Sequence, residues 1–277
     1  MLLKKNLIRC WVLGLAFCMM GAASVATPAS SPVVLDLSAK IYLKDQFPAN
    51  CQNIFVGADC PQVSFGRFHA VSEKQSEPNS YYHRSTFADA QGIQVIEETW
   101  EKDQKMIKGK IENKQTKTVD QLEVKDGRVY YQSTLADGTI KKSDDSLDDN
   151  LVMPSTLMSY IRPRFDDLLA GKSFQVKMAV LDRRESFTFN VKKVKDGKTL
   201  AGDPMVVLEM TAASIFIKAF VNAIRFHINS RTGELVAFEG RSALKQNVNG
   251  KLKDIDVQNF YEYKVNQFER TKNEKKL

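Results

Sequence analysis

The sequence predicts a mainly β, β-rich α+β fold: a single curved antiparallel sheet or open half-barrel with two short helices on its concave side. Three observations lead there. Short runs of alternating polarity recur between turn signals from Gly92 to Tyr263. The pairs Asp126-Gly127 and Asn249-Gly250 sit between such runs and favour local hairpins over crossovers. Apolar residues at helical spacing are confined to 154–170 and 213–224. With 277 residues, 43% hydrophobic and 26% charged, the composition excludes a multi-span membrane protein, a collagen and a wholly disordered chain.

The first 26 residues read as a signal peptide. Lys4, Lys5 and Arg9 form a basic start without acids, and Trp11 to Met20 is an apolar run of half the length a bilayer needs. Ser24 and Ala26 are small residues where a signal peptidase reads, so cleavage is expected before Thr27. Cys18 is no lipidation site on this reading, because bulky Phe17 precedes it. The expected location is therefore periplasmic or secreted. Cleavage removes three cations from the net +7, leaving +4 and no case for nucleic-acid binding. No transmembrane span is expected in the mature chain.

Four cysteines likewise become two. Cys51 and Cys60 are expected to form a structural disulfide, since an oxidising compartment and close spacing favour pairing. A loop of that size gains about 3 kcal/mol in the chain-entropy model. Residues 27–277 are read as one domain. Within it, 27–91 form an irregular N-terminal portion, 92–263 an antiparallel meander and 264–277 a charged tail. In the N-terminal portion Val33 to Leu37 could be a strand, and Ser72 to Ser80 reads as a loop.

The meander follows in order. Ile93 to Trp100 and Met106 to Glu112 come first; Gln121 to Lys125 then meets Arg128 to Leu135 across Asp126-Gly127. Asp137-Gly138 turns into Thr139 to Lys142. From Pro154 to Ala170, Leu157, Ile161, Phe165, Leu168 and Leu169 keep helical spacing, with Ser155 as cap, Pro163 dividing the stretch and Gly171 ending it. Ser173 to Leu181 alternates most cleanly, and Phe187, Phe189 and Val191 repeat the pattern. Pro204 to Thr211 and Ile224 to Asn229 are strands flanking the second helical stretch, Ala213 to Ile224. Leu235 to Leu244 and Asp254 to Tyr263 close the meander.

Motifs that carry chemistry are sparse. Gly171-Lys172-Ser173 and Gly197-Lys198-Thr199 lack the upstream glycine of a phosphate loop, with Asp166 and Lys192 in its place. His69, His83 and His227 form no metal or nucleophile motif, and His227 is expected on a solvated strand face. Asp144-Asp145 and Asp148-Asp149 lack the spacing of a calcium loop and read as a solvated turn. No catalytic residue, metal ligand or cofactor is assigned. A hydrolase would need His69 or His83 within reach of a serine or acid in a pocket.

What remains is the apolar face. Phe174, Val176, Met178, Phe187, Phe189 and Phe226, with Phe216 and Phe220 of the second helical stretch, are the candidate ligand-lining residues. A curved sheet bearing them is either filled by its own helices or left partly open for an apolar, lipid-like ligand. The expected role is to bind or carry a lipid or other apolar small molecule in that hollow; the alternative is an envelope assembly or interaction protein with a filled core that docks on a protein partner.

Ile224-Arg-Phe-His-Ile-Asn-Ser-Arg-Thr-Gly-Glu-Leu-Val-Ala-Phe-Glu-Gly240-Arg-Ser242, followed by Asp256-Val257-x-x-x-Tyr261-x-Tyr263, resembles the closing hairpins of a bacterial envelope family known as a domain of unknown function. Phe165-Asp-Asp-Leu-Leu-Ala-Gly-Lys172 fits the same family, and the likeness spans about residues 150–263. The family is similar in outline to the LolA- and LolB-like lipoprotein carriers of the periplasm. The resemblance implies a curved sheet with helices on its concave side and transfers no catalytic residue.

Overall fold

The structure, a computed structural model, describes residues 32–46, 64–199, 202–218 and 222–267. Its first strands are β1 (Val33–Leu43), β2 (Gly66–Lys74), β3 (Ser80–Asp89) and β4 (Gly92–Lys102). β5 (Lys105–Asn113), β6 (Thr118–Lys125), β7 (Arg128–Thr134) and β8 (Ile140–Ser146) continue one arm. β9 (Leu151–Val152) leads into α1 (Leu157–Ile161) and α2 (Phe165–Leu169), and then into β10 (Ser173–Val180), β11 (Glu185–Lys198) and β12 (Pro204–Ala212). After α3 (Ile215–Lys218), β13 (Ile224–Asn229), β14 (Leu235–Val248) and β15 (Lys251–Asn266) complete the sheet.

All fifteen strands join one open sheet in the order β8-β7-β6-β5-β4-β3-β2-β1-β15-β14-β13-β12-β11-β10-β9. The mainly β, curved antiparallel fold read from the alternation is therefore the fold observed. Two meanders share the β1–β15 pair, in which Leu35 lies opposite Asn266 and Leu43 opposite Val257. Among the described strands only β9 runs parallel to its neighbour, with Leu151 and Val152 against Lys177 and Met178.

The hairpins follow their turn residues. At Asp126-Gly127 both residues have positive φ, 51° and 71°, as they do at Asn249-Gly250, 53° and 79°. This left-handed geometry matches the right-handed twist of the flanking strands, and Asn, Asp and Gly reach it at least cost. The β10–β11 connection instead uses a helical turn at Leu181–Arg183 and a left-handed Arg184, φ 57°.

Residues 33–89, expected to be largely irregular, hold three long strands in the middle of the sheet. The physical reason lies in their inward side chains. Ser72 of β2 and His83 and Ser85 of β3 are buried. Polarity therefore does not alternate with the pleat there. Cys51, Cys60, the 1–26 segment and Phe220 lie outside the described residues.

The concave side is covered by the segment from Pro154 to Leu169. Pro163 breaks it as expected: a 3₁₀ turn at Arg162–Arg164 separates α1 from α2, and Gly171 beyond them has φ 86°. Ser155 does not cap this segment; Thr156 Oγ1 accepts from Met153 N–H instead, at 3.0 Å. In the second helical stretch the described residues place α3 at Ile215–Lys218, and Ile224 already begins β13.

Two cores result. Leu157, Ile161, Phe165 and Leu168 of the plug pack on Val176, Phe189, Leu208, Met210 and Ile228 of the sheet. Where the sheet curls back on itself, Met106, Leu122, Val129 and Tyr131 from β5–β7 meet Leu151, Met153, Ala179 and Leu181. The curl is fastened by side chains. Asp145 of β8 receives Ser186 Oγ at 2.8 Å and Lys177 Nζ at 3.1 Å, and Ser143 Oγ donates to the Arg184 carbonyl. No helix among the described residues is long and apolar enough to cross a membrane.

Candidate functional site

The interior beneath the plug has two unlike walls. One, from β10 to β13, is apolar. Val176 and Met178 of β10, Phe189 of β11 and Phe226 of β13 are buried in it, and Phe174 and Phe187 are half-buried at its margin. The ring of Phe174 meets Tyr160 of α1 edge-on at 5.7 Å, and Phe226 lies 5.7 Å from Phe238. Six of the eight candidate lining residues thus share one wall. Phe216 lies in α3, and only its backbone is described.

That wall is occupied. Between the α1–α2 segment and the turn joining β13 to β14 lies a cavity of about 20 Å³, lined by Met158, Ile161, Arg162, Phe165, Thr232 and Gly233. A volume of this size holds about one water molecule.

The opposite wall is polar. On β4 the side chains of Glu97, Thr99 and Glu101 all point inward and are buried. Register places Ser85 across from Glu97, and His83 across from both Thr99 and Ser72. Ser72 Oγ lies 2.8 Å from His83 Nδ1, and His83 Nε2 lies 3.6 Å from Glu101 Oε2 without a hydrogen-bond partner. Thr99 Oγ1 and Ser155 Oγ are 2.8 Å apart, while Ser155 N–H donates to Glu97 Oε1 at 2.9 Å. The start of the plug is therefore hydrogen-bonded to β4.

Arg162, between α1 and α2, has its pKa lowered by burial, against the opposing influence of Tyr263 and Glu101. Burial pushes the Glu97 carboxyl above the usual carboxylate range, against the opposing pull of its Ser155 bonds and of His83. Tyr263 is raised by burial as well, and its hydroxyl accepts from Leu235 N–H at 2.9 Å. Gly109 of β5 completes the seat, because a Cβ there would overlap Met153 Sδ.

Ser72, His83 and Glu101 have the residue types of a hydrolytic triad. Their arrangement is not one that can act on a substrate as it stands: Ser72 and His83 are each 3% exposed, so a carbonyl carbon cannot approach Oγ while the plug is seated. Among the described residues, no three His, Cys, Asp or Glu side chains converge as a metal ligand set.

The other histidines sit elsewhere. His69 pairs with Asp36 at 2.9 Å on the exposed face. His227, expected to be solvated, is buried and bonds Glu239 Oε1 at 2.9 Å, which holds that carboxyl below its usual range despite its burial. The outward alternation of His227 holds, but Glu239 and its neighbours cover it. The polar wall escaped sequence reasoning. Its one available signal was that Glu97 and Thr99 share a strand face with Val95.

No family model matches the chain, and no curated protein matches it. Among solved structures it is similar to a beta-barrel-like protein of the domain of unknown function DUF1849 from Brucella abortus. The TM-score is 0.44 at 10% identity, over 83% of this chain and 98% of that chain.

Proposed function

We propose that this chain is an exported, non-catalytic protein of the cell envelope that works by docking on a protein partner, its sheet interior remaining filled. The observation that carries this reading is the packing of Leu157, Ile161, Phe165 and Leu168 onto Val176, Phe189, Leu208, Met210 and Ile228, which covers the apolar wall. Export is supported by the basic start and apolar run of the first 26 residues. The envelope context is supported by the resemblance over about residues 150–263.

A second reading, a carrier of an apolar or lipid-like ligand in the manner of LolA- and LolB-like proteins, is favoured by the plug itself. Its two helices have five residues each, too few to be stable alone, and it is held to β4 through polar contacts that can be exchanged for water. Lifting it would uncover Phe174, Val176, Met178, Phe187, Phe189 and Phe226.

Cross-linking in cells and mass spectrometry of an organic extract separate the two. The first reading expects a discrete protein partner and an extract free of lipid. A stoichiometric lipid that disappears in F174D or F187D would replace it by the second. Fractionation that leaves an uncleaved chain in the cytoplasm would overturn export.

A further inference from the structure

We infer that β8 is the pairing edge of a two-fold dimer, the partner being a second copy of this chain. β8 ends the sheet and has β7 as its backbone neighbour. Its register with β7 is unbroken from Ile140 opposite Thr134 to Ser146 opposite Arg128. Beyond each end of that register the backbone bonds are explicit: Leu135 N–H donates to the Thr139 carbonyl and Leu147 N–H to the Gly127 carbonyl.

In an antiparallel strand, N–H and C=O of one residue point to the same side, and the side alternates. Residues 139, 141, 143, 145 and 147 therefore turn toward β7. Ile140, Lys142, Asp144 and Ser146 turn their backbone groups outward. The edge is also accessible. The β10–β11 hairpin is held by side chains on the concave face of β8, Ser143 and Asp145, so it lies beneath the strand. Ile140 and Leu147, at the two ends of the strand, are 57% and 37% exposed.

The occupant follows from the order of charges, Ile140-Lys-Lys-Ser143-Asp-Asp-Ser146. Read backwards it is its own complement. An antiparallel copy centred on Ser143 sets Lys142 against Asp144 of the second copy; Lys141 falls opposite Asp145, whose carboxylate stays with Lys177 and Ser186 on the concave face. Parity agrees with charge. Lys142 and Asp144 have no outward strand partner among the described residues, so they form a hydrogen-bonded pair; beyond it Ser146 N–H is already taken by Asp145 Oδ1 at 2.8 Å. The exposed Arg128–Asp144 pair orients that carboxylate on the convex face. Charges on a sheet edge ordinarily repel neighbouring strands. Here their two-fold order turns the same residues into attraction between identical edges.

Sedimentation equilibrium of the purified full chain tests this. At low salt the parent should have about twice the chain mass, with dissociation strengthened about tenfold in 0.5 M salt, where exposed pairs are screened. Lys142→Pro removes an outward N–H and none of the bonds to β7, so it should be monomeric with an unchanged melting curve. Lys142→Asp, which sets two carboxylates face to face, should also be monomeric, and Lys142→Asp with Asp144→Lys should restore the dimer. A parent monomeric at about 100 µM in low salt, single variants that dimerise like the parent, or a folded double variant that stays monomeric would each overturn the inference.

Discussion

Glu97 shows how one residue couples the sheet to its plug. Burial favours the neutral carboxyl, which still accepts the Ser155 N–H through Oε1. Because the folded-state pKa is raised, its contribution to stability is complete below the ordinary glutamate range. It is lost as pH rises through the raised value. Glu97→Gln keeps the acceptor and cannot ionise. Thermal melts should therefore coincide for variant and parent near pH 4 and favour the variant at pH 8; a variant less stable at pH 8 would disprove this account. Gly109 is the steric counterpart. Gly109→Ala should cost about 1–3 kcal/mol in urea unfolding by overpacking against Met153. Adding Met153→Ala should recover part of that loss, a coupling that a double-mutant cycle measures directly.

At the scale of elements, the plug is stabilised by burial rather than by helix propensity. Leu168 of α2 is fully buried beneath it, so Leu168→Ala should cost about 2–5 kcal/mol, whereas half-buried Leu169→Ala should cost clearly less. Chemical denaturation of the two variants side by side checks the ranking. How far such elements can be read in the sequence depends on whether polarity follows the pleat. For β10, Phe174, Val176 and Met178 alternate with Gln175 and Lys177, and the inward face is legible. For β4, hydrophobicity points the wrong way. Ile96 and Trp100 sit on the outer face, where Trp100 meets Tyr82 at 5.2 Å, while Glu97, Thr99 and Glu101 turn inward. The same inversion hid β2 and β3, because Ser72, His83 and Ser85 face the interior. A buried polar network leaves no hydrophobic period for local patterns to detect. The apolar wall was therefore visible in advance, and the wall opposite it was not.

For the whole molecule, curl and closure are separate problems. The sheet curls until β8 lies over the β10–β11 hairpin, and Asp145 is the clasp. Burial works against its ionised form, but hydrogen bonds from Ser186 and Lys177 outweigh it and hold the carboxyl below the usual aspartate range. A depressed pKa contributes stability above the ordinary range and loses it as pH falls through the folded value. Hydrogen exchange should therefore quicken in β8 and the β10–β11 turn as the pH drops toward 3, after correction for intrinsic rates. Asp145→Asn should produce the same local quickening at neutral pH, with β1 and β15 unchanged. Uniform quickening over the whole sheet would show that the clasp is not a local device.

The pairing of β1 with β15 sets the order of assembly. Each arm of the sheet can zip from neighbouring hairpins, but Leu35 meets Asn266, so the joint between arms closes across every strand that lies between them in the chain. Such distant closure is slow because its entropy cost precedes its reward. A folding chain must therefore keep β1 unmatched on one flank until β15 is in place, which makes that flank the place where a chaperone or a misfolding event would act first.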